Sequence, residues 1–494
     1  MKLRLLFLAT VFLIGLDQSN SASKNKFPDY FKFGVATASY QVEGGWDADG
    51  KGENVWDHIT HTNPNYVKNQ DNGDIACDSY HKYKEDVALM KDMGIDYYRF
   101  SISWSRILPY GIAGSPLNQL GIDHYRNLTQ ELLDNGIEPM VTMFHWDTPE
   151  PLQELGGWPN PEMEEHFVYY ARILFEQLGD LVKMWMTFNE AKQTCLEGYG
   201  TGEKAPGFKT SGLADYQCAH TILKSHAKVY HMYEEEFREK QGGRVGIVID
   251  SMWFEPGSGS DKDVEAAERA RQFTYGWYGN PIIHGNYPQV MIDRIGERSK
   301  KQGFAKSRLP TFTQEEIDYI KGTYDFVALN TYSTNYTAWI EEADISDVSY
   351  NSDLNVRLFV DDSWEESAST WLRVVPWGLR KIVNWLSKTY NNPEIFITEN
   401  GLSDRGGLDD DQRIRYYRDY LSNLVDAIVE DGVNVTRYTA WSLLDNFEWR
   451  SGYTEKFGFY SVDFNSTERT RTKKASADYY SKVISTRCLV DTCN

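Results

Sequence analysis

A single-domain (β/α)8 (TIM) barrel with long βα loops is the fold the sequence predicts, on three observations. Eight short β-rich segments recur along the 494 residues; amphipathic stretches separate them; and no Ser/Gly-rich or Pro-rich linker and no short-period repeat divides the chain. The length suits one barrel carrying insertions.

The chain opens with "MKLRLLFLATVFLIGLDQSNSAS": Lys2 and Arg4, an apolar run from Leu5 to Leu16, then small residues at Ser21 to Ser23. The run is too short to span a bilayer comfortably, which favours a cleaved secretory signal over residues 1–23, with the barrel occupying 24–494. "CLVDTCN" at the other end carries no retention address and no apolar tail for a lipid anchor, so export is the expectation.

The eight strand segments are "FKFGVATA" (31–38), "YYRFSIS" (97–103), "PMVTMFH" (139–145), "MWMTFNE" (184–190), "RVGIVID" (244–250), "FVALNTY" (326–332), "EIFITEN" (394–400) and "RYTAWSL" (437–443). Before the second, "YHKYKEDVALMKDMG" spaces Tyr83, Val87 and Met90 for one helical face and stops at Gly94. After the seventh, "RYYRDYLSNLVDAIVEDG" repeats the pattern. Residues 340–369 are polar, acidic and aperiodic, which predicts a long surface loop. The competing open doubly wound sheet calls for a Gly-rich phosphate loop at its first turn, where this chain has "TASYQVEGG".

Composition narrows the partners. With 41% hydrophobic and 25% charged residues the chain is an ordinary globular one. A net charge of −21 without a basic run disfavours nucleic acid and, once the signal is removed, an anionic membrane surface. Sequons begin at Asn127, Asn335, Asn434 and Asn465. Of five cysteines, Cys488 and Cys493 are placed to close a small terminal loop; Cys77, Cys195 and Cys218 read as buried thiols, and the odd count leaves at least one free or intermolecular.

In such a barrel, polar residues that close strands gather at one mouth. Gln41 lies just past the first segment, Arg99 is within the second, and His145 closes the third. Asn189 and Glu190 close the fourth, Asn330 and Tyr332 the sixth, Glu399 and Asn400 the seventh, and Trp441 lies in the eighth. Any one of these alone reads as a hydrogen-bonded strand end. Together, two carboxylates, amides, an imidazole, an arginine and indoles suit a polyhydroxylated ligand, whose hydroxyls pair with amides and carboxylates and whose apolar face packs on indole.

"TFNE" (187–190), "ITENG" (397–401), "FKFGVATASYQVEG" (31–44) and "WSLLDNFEW" (441–449) resemble the signature segments of glycoside hydrolase family 1, the β-glucosidase family, and the layout is similar to secreted animal β-glucosidases. The likeness runs from about Phe27 to Tyr480. It implies a retaining double displacement with carboxyl groups roughly 5 to 5.5 Å apart. By resemblance Glu399 is the nucleophile, Glu190 the acid/base, Arg99 the stabiliser of the nucleophile's anion, and Tyr332 its hydrogen-bonding neighbour. Gln41, His145, Asn189, Asn330, Trp441, Glu448 and Trp449 match glycone-holding positions, and Trp371 matches the tryptophan that stacks on the leaving group. By resemblance Glu448 reads the hydroxyls at carbons 4 and 6 and implies an unphosphorylated sugar, with glucose expected, because a carboxylate repels a phosphate dianion. The substrate implied is a small β-glucoside, and no metal or organic cofactor is called for.

One departure bears on the leaving group: the family usually has proline after the acid/base, and this chain has Ala191 followed by Lys192. Lys192 is expected to be solvated or paired with a carboxylate. Its sharper reading is attraction of an anionic aglycone, which would make the enzyme a thioglucosidase acting on glucosinolates. A transglucosidase and an inactive sugar-binding homologue complete the alternatives.

Overall fold

The computed structural model describes residues 25–490 and 493; the expected signal over 1–23 lies outside the described residues. All eight expected segments form strands, with bounds within two residues of those read from sequence: β1 (Lys32–Ala36), β2 (Tyr97–Ser101), β3 (Glu138–Phe144), β4 (Met184–Asn189), β5 (Arg244–Asp250), β6 (Val327–Asn330), β7 (Ile395–Asn400) and β8 (Val435–Trp441). Each pairs in parallel with its sequence neighbours, and β8 closes on β1 to complete the barrel. Parallel strands need crossovers, and the intervening helices supply them.

Alternation along the strands sorts their side chains. Tyr97, Met140, Met186, Val248, Ala328 and Phe396 belong to a small buried cluster that fills the interior, separate from the larger core between strands and helices. The Phe326 and Phe396 rings stack there at 4.4 Å. At the strands' N-terminal ends, Glu138 pairs with Lys32 at 2.8 Å and Arg437 at 2.9 Å, and Arg244 pairs with Glu394 at 2.6 Å. The bottom of the barrel is thus tied by charge, leaving chemistry to the opposite mouth.

The helix Ser79–Met93 buries Val87, Met90 and Met93 and stops where Gly94 turns left-handed at φ 72°, as its spacing predicts. The helix Asp411–Val429 buries Tyr416, Tyr417, Tyr420, Leu421 and Leu424 in the same manner.

Two expectations are corrected. Residues 340–369 are not a structureless loop: they contain the helix Tyr350–Leu354 and the strand Val356–Phe359, which pairs antiparallel with Thr334–Trp339. Asp353 anchors the segment from within, fully buried against Arg308 at 2.6 Å and the Tyr216 hydroxyl at 2.7 Å. Elements this short are invisible to periodicity. Likewise, Cys195 and Cys218 are not thiols but a disulfide, their Cα atoms 5.4 Å apart. The helical segment after β4 and the helix Ala214–Met232 lie side by side, a proximity that a sequence separation of 23 does not announce. Cys488–Cys493 closes the expected terminal loop, and Cys77 is free and buried.

Candidate active site

Two residues beyond the interior plug, the strands present Arg99, Thr142, Asp250, Asn330 and Thr398 to the mouth. Strict alternation would turn Asn189 and Glu399 outward. Register shifts occur where those residues must turn: β4 slips against β5 between Met186 and Asn189, and β7 slips against β6 between Ile397 and Glu399. Such irregularities re-aim a side chain without disturbing the rest of the sheet.

Arg99 organises the centre. Its Nη1 donates to Glu399 Oε1 at 2.6 Å and to the Thr398 carbonyl at 3.0 Å, Nη2 donates to Asn189 Oδ1 at 2.5 Å, and Nε donates to Thr142 Oγ1 at 3.2 Å. Tyr332 donates its hydroxyl to the other oxygen of Glu399 at 2.6 Å. Asn189 Nδ2 donates to His145 Nε2 at 3.1 Å. Burial, with Arg99 and Lys204 nearby, holds His145 well below the ordinary imidazole range, so it is neutral and free to accept.

Glu190 follows β4 in the left-handed region at φ 47°, its amide donating to the Val248 carbonyl at 3.0 Å. Trp146 (φ 70°) and Trp449 (φ 45°) share that conformation, a cost of about 1–2 kcal/mol per residue met where function asks for it. The side chain of Glu190 has one donor, Asn330 Nδ2 at 2.6 Å, and Asn330 is itself fixed by Thr398 Oγ1 at 2.7 Å. The two carboxyls therefore differ electrically. Burial pushes both up; at Glu399 the Arg99 guanidinium and the Tyr332 hydroxyl oppose it, whereas at Glu190 the charges of Asp250 and Glu399 reinforce it. Of the pair, Glu399 ionises first and Glu190 keeps its proton. Tyr332 is pushed far above the usual phenol range by burial and by Glu399, so it remains a donor.

One wall is aromatic. Trp441 and Trp449 each stack on His145 at 6.0 Å, and Trp146 lies 4.5 Å from Trp449. Gln41 is fully buried; its Nε2 donates to the Phe447 carbonyl at 2.8 Å and reaches Glu448 at 3.4 Å, and its Oε1 has no hydrogen-bond partner among the described residues. Glu448 is pushed up to about 8 by burial and by Glu455. Trp371 stands at the rim, 44% exposed, edge-on to Tyr332 at 5.6 Å.

Every site residue expected from sequence thus lies at this mouth except Asn400, which turns into the helix layer. It donates to the Thr331 carbonyl at 2.6 Å and accepts from the Tyr438 hydroxyl at 2.7 Å. Lys192 is paired with a carboxylate: Nζ meets Asp250 Oδ2 at 2.7 Å, with only 16% of the side chain exposed. Three neighbours were missed. Asp250 closes its strand segment and is legible by the same rule as Glu190; Trp146 directly follows His145; Lys204, whose Nζ lies 4.4 Å over the Trp146 ring and 2.8 Å from Gln193 Oε1, sits on a loop with no sequence signal. Among the described residues no cluster of His, Cys, Asp and Glu is arranged to hold a metal ion, and no helix is long and apolar enough to cross a membrane.

A barrel whose mouth pairs a braced carboxylate with a protonated one, beside an indole wall, defines a glycosidase-type site. The family model described as glycosyl hydrolase family 1 matches residues 23–488. Myrosinase 1 of Brevicoryne brassicae is 48% identical over 463 residues, covering 93% of this chain and 99% of that protein. The cytosolic beta-glucosidase of Homo sapiens is 44% identical over 462 residues, covering 93% and 98%. A solved aphid myrosinase structure superposes with a TM-score of 0.90 at 48% identity, covering 94% of this chain and all of that one. The chain belongs to glycosyl hydrolase family 1 and is a glycosidase of that family.

Proposed function

We propose that this enzyme removes terminal β-D-glucosyl residues from small glucosides by double displacement, with Glu399 as nucleophile and Glu190 as acid/base. The unequal bracing of the two carboxyls carries the reading: Glu399 has an arginine and a phenol on its two oxygens, and Glu190 has a single neutral donor. Glu399 attacks the anomeric carbon while Glu190 gives its proton to the departing glycosidic oxygen, leaving a glycosyl ester. Glycosylation cancels the charge of Glu399. Glu190, now anionic, takes a proton from water, whose oxygen attacks the same carbon, frees Glu399 and retains the β configuration.

Glucose is the sugar proposed. The free Oε1 of Gln41 and the carboxyl of Glu448 offer acceptors for hydroxyls, with Asn189, Asn330 and His145 deeper and Trp441 and Trp449 under the apolar face. Trp371 would stack on the aglycone. Glu399→Gln is expected to abolish turnover of an aryl β-glucoside; retained turnover would remove the assignment.

A thioglucosidase is the second reading, favoured by the 48% identity to a myrosinase. The engagement of Lys192 with Asp250 weakens it, since the cation meant for an anionic aglycone is already paired. Glucose release from a cellobiose-type oligosaccharide, a phenolic glucoside and a glucosinolate, assayed side by side, separates the two. Export is proposed as well, supported by the signal-like N-terminus and the Cys195–Cys218 disulfide, which suits an oxidising compartment. Asn127, Asn434 and Asn465 are exposed and are the sequons proposed to carry glycans.

A further inference from the structure

Asp250 closes β5 beside Glu190, and none of the steps above uses it. Val248, two positions earlier, belongs to the interior plug, so alternation turns Asp250 inward too. β5 lies between β4, which Glu190 directly follows, and β6, which holds that side chain: Glu190 donates its amide to Val248, Asp250 sits in register with Asn330, and Asn330 donates to Glu190. The residue is 9% exposed. Its Oδ2 accepts from Lys192 Nζ at 2.7 Å and Gln193 Nε2 at 2.8 Å, while its buried Oδ1 has no hydrogen-bond partner among the described residues. Negative charge on that oxygen is left uncompensated by any donor.

We propose that Asp250, anchored by Lys192, is a positioning residue for proton transfer, a fixed second anion that keeps the proton on Glu190. The proposal rests on the reading of Glu190 as acid/base. It adds a division of labour: the charge of Glu399 vanishes when the glycosyl ester forms, whereas that of Asp250 persists. Asp250 therefore also sustains the basicity of Glu190 toward water in the second step.

The charged groups facing Glu190 are Glu399 from β7, Asp250 from β5 and Lys204 from the segment after β4; after burial, Asp250 and then Glu399 raise its carboxyl, and Lys204 lowers it. Lys192 is the cation paired with Asp250, and, after burial, the charge of Asp250 helps to raise Tyr350 and Tyr278. Removing an adjacent anion makes Glu190 release its proton at lower pH.

The test is the pH dependence of kcat/KM for a phenyl β-glucoside with the full enzyme and its variants. Asp250→Asn is expected to move the basic limb toward acid by about one pH unit. Lys192→Arg, which keeps the charge, should leave the limb in place, and Asp250→Glu, which keeps the anion, should keep it near its parent position and guards against a misfolded Asp250→Asn. A rate loss in Asp250→Asn with the limb unmoved, or a limb that moves toward alkali, overturns the proposal. Glu190→Gln separates this from the underlying reading: it should erase the basic limb, and a limb that survives it rejects Glu190 as the acid/base rather than Asp250 as its modulator.

Discussion

Tyr332 and Arg99 grip opposite oxygens of Glu399, each at 2.6 Å, so the carboxylate is fixed in plane and its charge is met from both sides. Tyr332→Phe removes the neutral half of that grip. A hydrogen bond to a charged group contributes about 1.5–3 kcal/mol, so kcat/KM should fall by roughly ten- to a hundredfold. The sign for pH follows: the donor stabilises the anion, its loss raises the pH at which Glu399 ionises, and the acidic limb of the profile moves upward. A limb that stays put would mean that Tyr332 only packs.

Arg99 is 1% exposed and binds Glu399, Asn189, Thr398 and Thr142 at once. Arg99→Met leaves a buried carboxylate without its cation, a loss of about 3–5 kcal/mol in stability or a protonated, inert nucleophile. Thermal unfolding and turnover measured on the same sample tell which; an active, fully stable variant contradicts the geometry.

Glu190→Ala should spare the first step for substrates whose leaving group needs no proton and slow the second. With a dinitrophenyl glucoside, a burst of phenol followed by slow turnover is expected, and azide should restore the rate by attacking the glycosyl ester from the vacated side. No burst and no azide effect would locate the proton donor elsewhere.

Glu448 meets Gln41 at 3.4 Å and is pushed up to about 8 by burial and by Glu455. Glu448→Gln keeps the shape and replaces the carboxyl by an amide, which changes the donors and acceptors offered to the sugar's hydroxyls. Activity on glucosides should drop by up to about tenfold, with a smaller loss on a sugar lacking the 6-hydroxyl. Equal losses on both sugars would place the contact elsewhere.

Cys195–Cys218 closes a loop with a sequence separation of 23, for which chain entropy gives about 3 kcal/mol. The Cys195→Ser/Cys218→Ser variant should unfold at lower temperature than the parent, and reductant should lower the parent's transition more than that of the variant, which keeps only Cys488–Cys493. Its segment follows directly from Glu190, so aglycone affinity is the kinetic quantity to follow.

The barrel was legible because its strands are long enough to carry β-branched and aromatic runs, and its helices long enough to show a face. The mouth was legible because strand-closing polar residues have one place to go: Glu190, Asn330 and Glu399 follow that rule, and so does Asp250. Asn400 follows it in sequence and breaks it in space, because the register shift that turns Glu399 inward turns its neighbour toward Tyr438 and Tyr416.

The sequence by itself determined the fold class, the sugar-suited mixture of side chains and, through four signature segments, the family. Tertiary structure alone decided what each charge experiences. Asp250 and Lys192 are 58 positions apart and meet at 2.7 Å; Arg99 and Glu399 are 300 apart and meet at 2.6 Å. Electrostatic strength depends on separation and burial, and neither is written along a chain. The lysine beside the acid/base is therefore not an isolated basic residue awaiting a ligand: it is the anchor of an anion that faces Glu190.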